Sequence, residues 1–518
     1  MRNFSNPILP GFYPDPSICR VNEDYYLVTS SFAYYPGVPI FHSKDLVNWK
    51  QIGHVLERSS QLHLEGAEHS GGIYAPTLRY HEGIFYMITT NISGEGNFYV
   101  TATRPEGPWS DPIVLEAEGI DPSLFFDEDG RVYYVGTREK PKEVSRYYGD
   151  NEIWLQELDI KQGRLIGEKY VLWQGAFNNA VWPEGPHLYK KDEYYYLMIA
   201  EGGTGHEHSI TIARSKQIIG PYEGNPANPI LTHRHLGRHY PIVNVGHGDL
   251  VQIQDGTWWM VLLGSRPYGG YYRNLGRETF LVNVIWENGW PIVNEGKGIV
   301  EEMSKAPDLP WFEVMPEDAC THFIGSELSD KWISLRGPKE DFCSLGAREG
   351  YLRIKLRPES IKELVHPSLI CLRQQHQDFI VSTLLEFTPD TINEVAGLVL
   401  IQNERYHFRY EYGMQQSDTV IRLIKCEVGK DKLIAESQFS DSPICMKIVG
   451  RGQNFNFYYG SDPEQMYELV TGVDASILST DKAGGFVGTC IGMYASSNGK
   501  MSKNYADFGW FEYKGNDK

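Results

Sequence analysis

A chain of 518 residues exceeds what one hydrophobic core usually serves, so length favours two domains or one large β-architecture with a smaller companion. Hydrophobic residues at 41% supply both cores, and 22% charged against 13% aromatic residues excludes a coiled coil and a disordered chain. A formal charge of −19 repels phosphate backbones and anionic surfaces, which argues against nucleic acid and against a membrane as partner.

From the N-terminus onward, Met1 to Gly11 hold one Arg and none of the roughly 7 to 15 consecutive apolar residues of a secretory signal. No stretch approaches the roughly 18 apolar residues that a membrane span needs. The cysteines are Cys19, Cys320, Cys343, Cys371, Cys426, Cys445 and Cys490, an odd and scattered set without CxxC or metal-ligand spacing. Reduced thiols and a cytoplasmic location are the expectation.

One pattern then recurs: a small or acidic turn, a short strand, a hairpin, and an aromatic-rich strand. The copies are Asp15-Pro-Ser-Ile with Tyr25-Tyr-Leu-Val, Ala75-Pro-Thr-Leu with Phe85-Tyr-Met-Ile, Asp121-Pro-Ser-Leu with Tyr133-Tyr-Val-Gly, Gly185-Pro-His-Leu with Tyr195-Tyr-Leu-Met, and His247-Gly-Asp-Leu with Trp258-Trp-Met-Val. The spacing of about 45 to 65 residues suits a four-stranded sheet with its loops, and five such sheets make a five-bladed β-propeller. Asp129-Gly130 and Asp255-Gly256 mark hairpins at the strand junctions. In a propeller the residue that opens each innermost strand points into one axial cavity. Asp15, Asp121, Glu184 beside Gly185, and His247 are therefore expected to converge. Turn chemistry accounts for one Asp-Pro. It does not account for acids that replace one another in register, nor for Glu184.

The repeat ends near residue 305. A Pro- and acid-rich stretch over 306–323 reads as a linker. Beyond it, 324–518 reads as a β-sandwich of jelly-roll, concanavalin-like type, with strands at 351–356, 379–386, 397–402, 406–412, 420–426, 445–450, 455–459, 486–494 and 507–513. The aromatics at 406–412 and 455–459 are expected to pack between its sheets rather than to bind sugar. The fold class is all-β: a five-bladed propeller over 1–305, then a sandwich.

Two carboxylates flanking a substrate are the equipment of glycoside hydrolysis, one protonated to serve the leaving oxygen and one ionised to activate water or attack. A third acid nearby raises the pKa of the proton donor by like-charge repulsion. A metal site is the rival reading. None of these residues has helix-neighbour spacing and no Asp-x-Asp-x-Asp loop exists, so no metal ligand is assigned. His247 stays open as a contact to a structural Ca²⁺ or an axial water.

At these residues the chain resembles glycoside hydrolase family 43, among its β-xylosidase and α-L-arabinofuranosidase members. The resemblance rests on Asn6-Pro-Ile-Leu-Pro-Gly-Phe-Tyr-Pro-Asp-Pro-Ser, Gly119-Ile-Asp-Pro-Ser-Leu-Phe-Phe-Asp, Trp182-Pro-Glu-Gly-Pro-His-Leu-Tyr, Gly246-His-Gly-Asp-Leu-Val-Gln, Leu275-Gly-Arg-Glu-Thr-Phe and, near the end, Ala506-Asp-Phe-Gly-Trp-Phe-Glu-Tyr. It implies an inverting hydrolase in which Asp15 is the general base, Glu184 the general acid and Asp121 the residue that tunes the acid. Inversion implies carboxyl groups about 6.5 to 9.5 Å apart. Arg277 matches a substrate-binding arginine; the alternative for it is a strand-end salt bridge with Glu278 or another acid. Phe32 and Tyr74 match pocket walls, Tyr74 standing where many β-xylosidases of the family carry Trp. Thr204, in the Gly-rich segment from Glu201 to His208, matches a loop beside the sugar, and Phe486 is expected to close the pocket from the sandwich.

The implied activity is exo-acting release of terminal β-D-xylose from xylo-oligosaccharides, with α-L-arabinofuranosidase activity beside it. A dedicated α-L-arabinofuranosidase and a non-catalytic carbohydrate-binding propeller are the alternatives. No cofactor is required on this reading. The partner is a small neutral oligosaccharide, and self-association into a homo-oligomer is left open.

Overall fold

Each copy of the repeat forms one antiparallel sheet in the computed structural model, which describes residues 2–177, 179–316 and 318–516. Met1, Asp517 and Lys518 at the limits of the two expected domains, Glu317 in the expected linker, and Asn178 lie outside the described residues. The innermost strands are Ser17–Val21, Thr77–His81, Ile120–Phe126, Glu184–Lys191 and Val243–Gln252, each followed outward by three more. The fourth sheet carries an extra short strand, Leu231–Thr232, on its third.

The hairpin between first and second strands turns on a left-handed residue every time: Asn22 (φ 57°), Gly83 (86°), Gly130 (83°), Asp192 (54°) and Gly256 (89°). Asn, Asp and Gly tolerate that region, and turns of this hand match the twist of the strands they join.

Successive strand residues face opposite sides, which explains the repeated aromatic pairs. Tyr133 packs between the third and fourth sheets and Tyr134 between the second and third. Tyr195 and Tyr196 divide likewise between the third–fourth and fourth–fifth layers, and Trp258 and Trp259 between the fourth–fifth and fifth–first. Each pair thus glues its blade to both neighbours. The ring is closed by the N-terminal segment: Asn3–Ser5 pairs with Met303–Lys305, and Leu9 exchanges backbone hydrogen bonds with Thr279 of the fifth sheet.

Two eight-stranded sheets form the sandwich. Tyr410, Tyr412, Phe455, Phe457 and Tyr459 lie in the core between them. The outer face of one sheet, through Leu369, Val399, Ile401 and Tyr494, rests on Phe12, Phe32, Tyr34 and Leu62 of the propeller.

The domains interlock more closely than a linker between separate units implies. Tyr34–Tyr35 leaves the first blade to pair with Ile333–Leu335 as an edge strand of the sandwich. Cys320–His322, within the stretch expected as linker, is already a strand paired with the long final strand Tyr505–Gly515. The strand expected from 486 begins at Cys490, because Gly484 and Gly485 turn the chain and Thr489 donates its N–H to the Asn274 carbonyl of the propeller. Lys430–Gln438 and Gln465–Asp474 escape the sequence reading because they are mostly exposed and lack apolar alternation.

The aromatic pairs make a stability expectation. Phe85→Ala, at a side chain 3% exposed, should cost about 3 to 5 kcal/mol, read as a lower denaturant midpoint of the propeller. An unchanged midpoint would contradict the role given to these pairs.

Candidate active site

The axial ends of the inner strands share an unusual backbone. Asp15 (φ 55°), Asp121 (51°), Gly185 (58°) and His247 (46°) are all left-handed. The pairing register slips at three of them, between Ile120 and Ser123, Glu184 and His187, and Val243 and Gly248. Such a bulge re-aims a side chain out of the sheet face, here along the axis. Left-handed non-glycine residues cost of order 1–3 kcal/mol each and persist where their surroundings hold them.

Gly185 shows why the fourth blade differs. A Cβ there would stand 2.8 Å from the His247 ring. The position that carries Asp in the first and third blades must therefore be glycine, and the carboxylate comes from Glu184 one residue earlier.

Beneath the acids a buried network joins four blades. Asp249 accepts from Ser17 Oγ (2.7 Å), Ile18 N (3.1 Å), Arg79 Nη1 (2.9 Å) and Tyr189 Oη (2.6 Å), and Arg79 Nη2 donates to His187 Nδ1 (2.9 Å). Burial works to raise the Asp249 pKa, but Arg79 and the hydrogen bonds outweigh it and keep the carboxylate ionised.

The three axial acids occupy unlike environments. Arg277 donates from Nη1 to Asp15 Oδ1 (2.7 Å) and from Nη2 to Oδ2 (3.3 Å), Ser30 Oγ donates to Oδ2 (2.6 Å), and His247 Nδ1 lies 3.8 Å from Oδ1. Burial pushes the Asp15 pKa up; Arg277, His247 and Ser30 together overcome it and hold it below the usual aspartate value. Asp121 accepts only the Gly185 N–H (3.2 Å) among the hydrogen bonds found for it, and burial, reinforced by Asp15, lifts its pKa to about 6. Glu184 is raised well above an ordinary glutamate, first by burial, then by the charges of Asp121 and Asp15. Asp15 is thus biased toward its ionised form and Glu184 toward its protonated form, the split that general acid–base chemistry requires.

Asp15, Phe32, Tyr74, Ala75, Asp121, Glu184, Thr204, His247, Arg277 and Phe486 line a single cavity. All nine residues singled out in the sequence are thus at one place. Arg277 makes its salt bridge to Asp15, not to Glu278, which pairs instead with Arg266. Its Nε donates to the Phe486 carbonyl (3.3 Å), its Nη1 lies 3.5 Å from Thr204 Oγ1, and its guanidinium sits 5.7 and 5.5 Å from the Phe32 and Phe486 rings. Phe486 stacks on Phe32 (6.2 Å) and meets Tyr74 edge-on (6.1 Å), so an aromatic wall is built from both domains.

Ile120 and His208 also line the cavity and escaped the sequence reading. Ile120 lies inside the quoted motif at 119–127, but as an apolar residue beside Asp121 it gave no sign of a role at the site. His208 ends the Gly-rich segment already under suspicion, and its signal was the glycine at 246: a Cβ there would stand 2.2 Å from the His208 ring.

Comparison with known proteins identifies the family. The family model described as "Glycosyl hydrolases family 43" matches residues 4–291, and "Beta xylosidase C-terminal Concanavalin A-like domain" matches 320–514. The chain is 50% identical over 515 residues to a "Xylosidase/arabinosidase" of Butyrivibrio fibrisolvens, covering 98% of each. It is 40% identical over 528 residues to a "Non-reducing end alpha-L-arabinofuranosidase" of Bacteroides ovatus, covering 99% of this chain and 95% of that one. A solved structure, "xylan beta-1,4-xylosidase" from Bacillus halodurans, superposes with a TM-score of 0.92 at 37% identity, covering 99% of this chain and 100% of the other.

If Asp121 helps to hold the proton on Glu184, Asp121→Asn should move the Glu184 titration downward while burial keeps it above 4.5. Infrared difference titration of the carboxyl C=O band reads this shift. A Glu184 pKa unchanged by the substitution would contradict the coupling.

Proposed function

Because the chain belongs to glycosyl hydrolase family 43, we propose that it is an inverting exo-glycosidase that releases terminal β-D-xylose from short xylo-oligosaccharides and also cleaves α-L-arabinofuranosides. The observation that carries this is the unequal surroundings of the axial acids, with Arg277 and Ser30 donating to Asp15 while Glu184 sits near the charges of Asp121 and Asp15. Glu184, neutral, gives its proton to the glycosidic oxygen as the bond to the anomeric carbon breaks. Asp15, ionised, takes a proton from the water whose oxygen bonds to that carbon from the opposite face. Asp121 keeps Glu184 protonated by repulsion, and Arg277 keeps Asp15 bare. Arg277 and Thr204 supply polar contacts for sugar hydroxyls, while Phe32, Tyr74 and Phe486 offer apolar faces to the ring.

The aromatic wall that Phe486 adds supports a pocket for one terminal sugar over a cleft along a chain. Tyr74, smaller than the Trp of many β-xylosidases, and the resemblance to a Bacteroides ovatus arabinofuranosidase favour a second reading, a dedicated α-L-arabinofuranosidase.

This chemistry calls for no cofactor. The axial donors also make a poor calcium cage, since Ca²⁺ takes six to eight oxygens. The Asp249 oxygens already accept from Ser17, Arg79 and Tyr189, and those of Asp15 from Arg277 and Ser30. For compartment we hold to the cytoplasm, a reading supported by seven cysteines that form no disulfide.

The experiment is a proton-NMR time course on xylobiose and on arabinoxylo-oligosaccharides. The first product should be α-xylose, the inverted anomer, with Asp15→Ala and Glu184→Ala each slowing release by about 10²-fold or more. First-formed β-xylose would overturn inversion, and near wild-type turnover in either variant would overturn the roles. A kcat/KM on aryl arabinofuranoside far above that on aryl xyloside would select the second reading.

A further inference from the structure

The sandwich holds another grouping of donors that this chemistry leaves unused. Strands Tyr406–Gln415, Asp418–Glu427 and Lys430–Gln438 run side by side, and their register sets His407 opposite Cys426 and Cys426 opposite Asp431. Directly opposed residues share a face of the sheet. The three side chains therefore stand in one row across three strands, with ligand-type atoms within 4.8 Å of one another. His407 and Cys426 are fully buried, whereas Asp431 is partly open to solvent and gives the row a mouth.

His407 Nδ1 lies 3.3 Å from the Asn403 carbonyl, an oxygen that can only accept, so Nδ1 carries the proton and Nε2 keeps a bare lone pair. Among the described residues that buried Nε2 has no hydrogen-bond partner. A ring oriented by a carbonyl on one nitrogen, with the other nitrogen bare, is how histidine is prepared as a metal ligand. Asp431 is likewise oriented. Arg409 Nη2 (2.7 Å) and Lys362 Nζ (2.9 Å) both donate to Oδ2, which anchors the carboxylate, and the Cys426 thiol is within hydrogen-bonding reach of the same side chain.

We propose that His407, Cys426 and Asp431 bind a divalent transition ion of the zinc class, with water as the fourth ligand. A nitrogen, a sulfur and one oxygen suit tetrahedral Zn²⁺ and disfavour Ca²⁺ or Mg²⁺, which want oxygen alone. Binding releases the Cys426 thiol proton to solvent, and the Sγ contact to the Arg405 carbonyl (3.6 Å) is exchanged for the Sγ–metal bond. None of the three residues lines the axial cavity, so the ion staples the outer hairpin of the sheet and takes no part in catalysis.

The test uses the full chain, dialysed against a chelator and titrated with Co²⁺. One equivalent should bind with a sulfur-to-cobalt charge-transfer band that Zn²⁺ abolishes, and Cys426→Ser should remove the band. The same variant should weaken Zn²⁺ binding by more than the roughly 10- to 100-fold that loss of a ligand's supporting partner costs. No band in the wild-type protein, or a band that survives in Cys426→Ser, overturns the proposal. Should that variant fail to fold, Asp431→Asn at the open end is expected to lower Co²⁺ affinity at least about tenfold, and unchanged affinity overturns the site.

Discussion

The ion pair between Arg277 and Asp15, residues 262 apart in the chain, decides what the axial cavity can do. Burial raises the pKa of Asp15, Asp121 and Glu184 alike, and left to itself would tend to protonate all three. One guanidinium bonded to both oxygens of Asp15 breaks that equality. The charge it preserves on Asp15 then adds to the repulsion that keeps a proton on Glu184. Acid and base are thus set together, by Arg277, His247 and Ser30 gathered against one of three similar groups.

Placing that cation requires both domains. Arg277 comes from the fifth blade, but its Nε is held by the Phe486 carbonyl and its guanidinium lies against the Phe486 ring, both from the sandwich. The sandwich is in turn fastened to the first blade by the shared strand Tyr34–Tyr35 and by a buried chain of contacts. Tyr34 Oη meets His69 Nε2 (2.8 Å), His69 Nδ1 meets Glu404 (3.2 Å), and Arg336 pairs with Glu404 while donating to the Ala67 carbonyl (2.6 Å). A buried polar network that is satisfied throughout rigidifies what it joins. Here it fixes the wall of the pocket.

Much of this was legible before any coordinates. The repeat could be read because each blade spends its signal locally: a left-handed turn, then an aromatic pair that feeds both neighbouring layers. The convergence of Asp15, Asp121 and His247 follows from their common place in that repeat. Glu184 sits one residue out of register, for a reason visible only in three dimensions, the His247 ring lying where a side chain at 185 would go. Asp249, His187, Tyr189 and Ser17 stand within the recurring motifs, but that they bond to one another and to Arg79 was not legible, since partners on different blades share no sequence spacing. The interlocking of the domains was hidden for a related reason. Tyr34–Tyr35 is two residues long, and the Phe486 loop reads as the start of a strand until the glycines before it are seen to turn.

The central claim is that three carboxyl groups in one cavity carry unequal protons at neutral pH because Arg277, with His247 and Ser30, faces one of them. Neutron diffraction from deuterium-exchanged crystals of the unliganded protein at pH 7 observes this directly. The account expects a deuteron on Glu184 and none on Asp15. A bare Glu184, or a deuteron on Asp15 beneath Arg277, would contradict it.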